Sequence, residues 1–124
     1  MKILLSIKPE YAEKILSGAK RFEFRKVLFK NPAVKTVVIY ATMPVGKVVG
    51  EFDIDEVLSA RPKKLWSLTE EFAGIPHGYF KEYFEGRDIG HAIKVNNVRR
   101  YTKPLNLLQV LPSGIAPQSF CYLT

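Results

Sequence analysis

Apolar positions along the chain change their period several times, and each change marks an element. Residues 3–8 form a branched, mostly apolar run (Ile3, Leu4, Leu5, Ile7) suited to a strand buried on one face or both. Pro9 stops that strand and opens a helix over 9–17. There Tyr11, Ala12, Ile15 and Leu16 form one stripe, Glu10 and Glu13 suit the positive helix start, and Gly18 offers a left-handed stop. Strict alternation follows over 21–26, with Phe22 and Phe24 on one face and Arg21, Glu23 and Arg25 on the other. A third apolar strand is predicted over 34–42. A turn at Pro44, Val45 and Gly46 then leads into the longest extended segment. In that segment Val48, Gly50, Phe52, Ile54 and Leu58 face the core, Glu51, Asp53 and Asp55 face away, and Gly50 marks a bend or bulge.

Helical spacing returns after Pro62. Leu65, Trp66, Leu68 and Phe72 define a second helix ending near Gly74, and Tyr79, Phe80, Tyr83 and Phe84 define a short third one closed by Gly86. His91, Ile93 and Val95 alternate in another strand that extends toward Tyr101, and the run from Leu107 to Leu111 is positioned to close the sheet. Strands outnumber helices. The expectation is one α+β domain over 1–124, a small, strongly curved β-barrel of about five to six strands with two to three flanking helices.

Composition narrows the function classes. A single cysteine, Cys121, excludes an internal disulfide and a cysteine-rich zinc site, which fits a reducing cytoplasm. The apolar run at the start is too short for a signal-peptide core or a membrane span, so no membrane partner is expected. Nineteen Lys and Arg against twelve Asp and Glu give a net charge of +7, which points to a polyanionic partner, RNA or a nucleotide-like ligand. The basic residues are scattered, with pairs at Lys20–Arg21, Arg25–Lys26, Lys63–Lys64 and Arg99–Arg100, so a binding face has to be assembled by folding. The oligomeric state has no signature in the sequence.

Strand, helix, then Gly18, Lys20, Glu23 and Arg25 is an arrangement that resembles the ASCH domain, whose signature Gly-x-Lys-x-x-Glu-x-Arg follows the first helix. The segments at 5–9 and 48–52 look like family segments too, so the resemblance covers roughly residues 3–104. It implies a PUA-like barrel with a cleft for RNA or a nucleoside. Some members are enzymes, and the resemblance implies as alternatives a hydrolase of a modified nucleoside such as N4-acetylcytidine, or a ribonuclease. In the amidohydrolase branch a Lys, Thr and Glu act together. Lys20 matches that lysine, Glu23 stands in the threonine's place and Pro76 in the distal glutamate's, leaving Glu70 or Glu71 as substitutes.

The candidate site therefore centres on Lys20 and Glu23 as the catalytic pair, with Lys8, Lys20, Glu23, Arg25, Tyr40 and Trp66 as ligand-binding residues. Read from the residues alone, Arg21, Glu23 and Arg25 form either a solvated strand face or part of a buried charged cluster. Lys20 has the opposite parity and joins such a cluster only through a bend after Gly18. Lys8 stands where the first helix begins and offers an anion contact there. Tyr40, Trp66, Tyr79, Tyr83 and Tyr101 are candidates to stack a base, with most of them expected in the core. Glu51, Asp53, Asp55 and Glu56 superficially resemble a metal-binding run but diverge along a strand. His77 and His91 lack metal spacing, and Cys121 has no evident base, so neither a metal nor another cofactor is expected. A weaker alternative makes the aromatic third helix a docking surface for another protein.

Overall fold

In the computed structural model, which describes residues 1–123, the first apolar run forms strand β1 (Lys2–Ile7) and the stripe after Pro9 forms helix α1 (Pro9–Ser17). Strands β2 (Phe22–Arg25), β3 (Thr36–Ala41) and β4 (Lys47–Ala60) follow, then helices α2 (Pro62–Thr69) and α3 (His77–Tyr83). Strand β5 (Gly90–Leu105) and a last short strand, β6 (Phe120–Leu123), complete the fold. The expected single domain runs one residue further, to Thr124, which lies outside the described residues.

All six strands belong to one curled half-barrel sheet in the order β2-β5-β4-β3-β1-β6. The β1–β3 pair is parallel and the other neighbours are antiparallel. Curvature has a local cause in the two long strands. Between β4 and β5 the register shifts at Val48/Gly50, Glu51/Asp53 and Ile54/Val57, and each such irregularity bends and twists the ribbon. Gly50 fits the bend for a steric reason: a Cβ there would sit 2.6 Å from the Arg99 carbonyl oxygen and 2.8 Å from Leu16.

The central strands are buried on both faces. Ile3, Leu5, Ile7, Val37 and Ile39 pack with Ile15, Phe52 and Ile93 on one side, whereas Leu4, Val38, Tyr40 and Val48 pack under the C-terminal segment on the other. That double burial explains why β1 and β3 read as near-continuous apolar runs. A third cluster joins Phe22 and Phe24 of β2 to Leu65, Phe80 and Phe84 of the helices. Phe80 and Phe84 are buried and Tyr79 and Tyr83 half-buried, so the aromatics of α3 do not form one exposed patch.

Two elements differ from the sequence expectation. The run Leu107 to Leu111 adds no strand: Leu107–Gln109 is a 3₁₀ turn closed by a capping box between Asn106 and Gln109, and its apolar side chains cover the Tyr40 cluster. The sheet gains its sixth strand instead from Phe120–Leu123, paired antiparallel with β1. The second helix is also shorter, ending at Thr69 before a 3₁₀ turn over Glu70–Phe72.

Candidate functional site

The half-barrel leaves a seam between its edges, and the charged residues after α1 gather there. Gly18 caps α1 with φ +90° and its amide donates to the Ile15 carbonyl, which turns the chain sharply. Lys20 follows in that turn, outside β2, so strand parity does not govern where it points. Its amide is tied to the Lys14 carbonyl at 3.0 Å and the next amide, of Arg21, to the Phe72 carbonyl at 2.9 Å. The Lys20 side chain is 2% exposed. Nζ donates to the Ala73 carbonyl at 2.7 Å and lies 4.7 Å from the Phe24 ring centre and 5.7 Å from that of Tyr11.

Glu23 and Arg25 share the face of β2 opposite Phe22 and are 7% and 9% exposed. Of the two sequence readings, the buried cluster is the one observed, while Arg21 remains exposed with its guanidinium over Phe72. Arg25 Nη2 donates to Glu23 Oε2 and to the Ser6 carbonyl of β1, both at 2.9 Å. Its Nη1 reaches the Ser119 carbonyl at 3.4 Å. One guanidinium thus ties the free edge of β2 to β1 and to the approach to β6, where backbone pairing is absent. Ser6 adds a second tie, its hydroxyl donating to the Pro117 carbonyl at 2.7 Å.

A cavity of ≈ 170 Å³ opens beside this cluster. Lys8, Lys20, Glu23 and Arg25 all line it, together with Ser6, Tyr11, Phe24, Ile75, Tyr79 and Tyr83. Lys8 sits at the start of α1 with its ammonium 5.0 Å from the Tyr79 ring centre, and the interaction with Tyr79 raises its pKa. Burial dominates at Lys20. Desolvation brings its pKa down to about 8 despite the attraction of Glu23, with repulsion from Lys14 and Arg25 in the same direction as burial. Burial likewise pushes the Tyr83 hydroxyl up. Tyr79 and Tyr83 stand nearly parallel, 8° between their planes, and Tyr83 donates to the Phe24 carbonyl at 3.3 Å.

Tyr40 and Trp66 are not brought to this cavity. Tyr40 is 8% exposed and belongs to the core under the C-terminal segment. Trp66 stacks on His77 at 4.6 Å, on the side of α3 where Lys63, His77, Phe80 and Lys81 line a separate open groove. Glu70 and Glu71 are exposed and do not line the cavity; Ile75 does. Among its lining residues Glu23 is the only carboxylate. Sequence reasoning passed over Ser6, Tyr11 and the Ala73–Gly74 turn. Ser6 did carry a signal, as the one polar residue inside β1, whereas nothing in the sequence links Ala73 to Lys20.

The acidic run of β4 is used up by cations. Arg99 bonds Glu51 at 2.8 Å and Asp53 at 2.9 Å, and Lys94 pairs with Asp55 and Glu56. Burial pushes the Glu51 carboxyl up, but hydrogen bonds from Arg99, Lys2 and Tyr101 outweigh it and hold the pKa below the usual value. Among the described residues no three His, Cys, Asp or Glu side chains are grouped to hold a metal, and no helix is long and apolar enough to cross a membrane.

Comparison with known proteins places this geometry in context. A family model described as the ASCH domain matches residues 5–104. An "ASCH domain-containing ribonuclease" of Zymomonas mobilis is 30% identical over 97% of this chain and 82% of its own length. The crystal structure of ASCH from Zymomonas mobilis superposes with a TM-score of 0.91 at 29% identity, covering 99% of this chain and 87% of that one. A Ureaplasma parvum protein named ATP synthase subunit alpha is 34% identical over 98% of this chain, but the chain spans only 15% of that protein's length.

Proposed function

The chain belongs to the ASCH domain family, and on that premise we propose that the cavity beside Lys20 binds a base of RNA or a nucleoside-like ligand. The observation that carries this reading is the cavity itself, in which three cations and one carboxylate meet walls made by Tyr11, Phe24, Tyr79 and Tyr83. A planar base offers donors and acceptors on one edge and a π-face on each side. Lys20 and Arg25 supply donors, Glu23 the acceptor, and the tyrosines the stacking surface, worth roughly 1–3 kcal/mol per base in single-strand binders. Lys8 and Lys26 add positive charge near the rim, Lys26 lying 4.8 Å from the Tyr83 ring centre. At ≈ 170 Å³ the cavity is below the range of about 300–1,000 Å³ usual for drug-sized ligands, so one base fits better than a dinucleotide.

Titration with a single-stranded RNA and with free nucleosides, followed by tyrosine fluorescence, tests this. Affinity for the RNA is expected to fall with salt, since phosphate contacts release counterions, and to drop about tenfold or more in Tyr79→Ala. Binding that is flat with salt and unchanged in that variant would overturn the reading.

A second reading, that the site hydrolyses its ligand, has a specific basis. With a pKa of about 8, Lys20 holds a share of neutral amine near neutral pH and so can accept a proton, and a relative covering 97% of the chain carries the name ribonuclease. The Lys, Thr and Glu trio of the amidohydrolase branch is not assembled here, because Glu23 replaces the threonine and no second carboxylate lines the cavity. Glu23→Gln separates the two readings. RNA cleavage lost in that variant and kept in Lys81→Ala would establish hydrolysis; unchanged affinity with no products would leave binding alone.

A further inference from the structure

Base recognition leaves the burial of Lys20 only partly explained. The residue is 2% exposed, yet no carboxylate among the described residues forms a salt bridge with its ammonium. Glu23, on the same cavity, is bonded to Arg25 instead. One acceptor, the Ala73 carbonyl, meets a group with three N–H donors, and the Phe24 and Tyr11 ring centres lie 4.7 and 5.7 Å from Nζ. Keeping a buried cation with no carboxylate in salt-bridge contact is costly, and that cost makes sense where the neutral amine is the working form.

We propose that Lys20 is a carbonyl-trapping amine, condensing with an aldehyde carried on a planar ligand seated in the cavity. The reading rests on the cavity as a binding site for base-like ligands and adds the substrate class, an aldehyde-bearing base or nucleoside. The steps balance without an oxidant or a metal. The lone pair on Nζ attacks the aldehyde carbon, forming the C–N bond, and the carbonyl oxygen takes the proton that nitrogen loses. The resulting hydroxyl leaves as water with a proton drawn from solvent through Glu23, and a protonated imine remains, its nitrogen keeping one N–H. Tyr11 and Phe24 shield the product from water, while the Ala73 carbonyl fixes the nitrogen at the cavity wall. Desolvation, which brings the Lys20 pKa to about 8, provides the free amine that exposed lysines lack at the same pH.

The wild-type protein would be treated with acetaldehyde or with 5-formylcytidine in the presence of cyanoborohydride, which reduces any imine to a stable secondary amine, and the modified lysines located by peptide mass spectrometry. Lys20 is expected to be modified first by both probes. Its rate should rise about tenfold from pH 6 to pH 7 and level off above about 8, whereas a solvated lysine amine of ordinary pKa, about 10.4, keeps gaining well beyond that. Modification spread over exposed lysines with Lys20 untouched would overturn the proposal. Trapping of acetaldehyde but not of 5-formylcytidine would confirm the reactive amine and reject the base-like ligand. Saturable binding of cytidine with no trapping by either probe would do the reverse, keeping the binding site and refuting the imine.

Discussion

Replacing Lys20 by methionine is expected to make the protein more stable at neutral pH while removing its ligand affinity. The lysine pKa falls from 10.5 to about 8 on folding, which at about 1.4 kcal/mol per pH unit amounts to about 3 kcal/mol of destabilisation while the group is charged in both states. Methionine has a similar length and an apolar tip that suits the Tyr11 and Phe24 rings. It leaves the Ala73 carbonyl without its donor, a loss of about 1 kcal/mol, so the net gain near pH 7 is about 2 kcal/mol. The sign of the pH dependence follows from linkage. Between about 8 and 10.5 the unfolded chain binds the proton and the folded one does not, so wild-type stability rises with pH across that window and the advantage of the variant disappears. Urea unfolding of both proteins at pH 7, 8.5 and 10, followed by the fluorescence of Trp66, reads the difference, in which the other titrating groups cancel. A variant less stable than wild type at pH 7, or a difference that does not move with pH, would refute the reasoning.

Three further outcomes are expected. Arg25→Met leaves Glu23 buried without its partner and unties β2 from β1, so urea unfolding should show a loss of about 3 kcal/mol; a loss under about 1 kcal/mol would mean that the seam holds without the guanidinium. Gly74→Ala places a Cβ 2.4 Å from that of Lys20 on a backbone with φ +69°. It should cost about 1–2 kcal/mol from the left-handed conformation alone and weaken ligand binding by displacing Lys20, checked by unfolding and fluorescence titration; unchanged affinity would separate the turn from the site. Glu51→Gln weakens the hydrogen bonds from Arg99, Lys2 and Tyr101, at about 1–3 kcal/mol near pH 7. Because the folded pKa lies below the ordinary 4.5, wild-type stability from this carboxylate is present above that value and lost as pH falls through the folded one, so the two proteins should converge in an acid titration followed by circular dichroism.

Much of the chain was legible without coordinates because its signals are local. The period of Tyr11, Ala12, Ile15 and Leu16 between Pro9 and Gly18 requires an amphipathic helix, and α1 has those bounds. Alternation of Phe22 and Phe24 against Glu23 and Arg25 assigned β2 and its two faces, and the Gly18 to Arg25 signature identified the family. What stayed hidden depends on contacts between distant segments. Phe120–Leu123 is too short to announce itself as a strand and exists as one because β1 offers it an edge, while the apolar run at 107–111 is spent on covering the core. In the sequence Tyr40 and Trp66 look as suited to stacking a base as Tyr79 and Tyr83. Only the packing of α3 against β2 decides which aromatics wall the cavity and which fill the core. Whether Glu23 and Arg25 face water or each other is settled by the curl of the sheet, since β2 is an edge strand that meets β1 across a seam without backbone pairing. The low pKa of Lys20 has the same origin: a lysine in a turn after a helix would ordinarily be solvated, and this one is buried because Ala73 and Gly74, more than fifty residues on, fold over it.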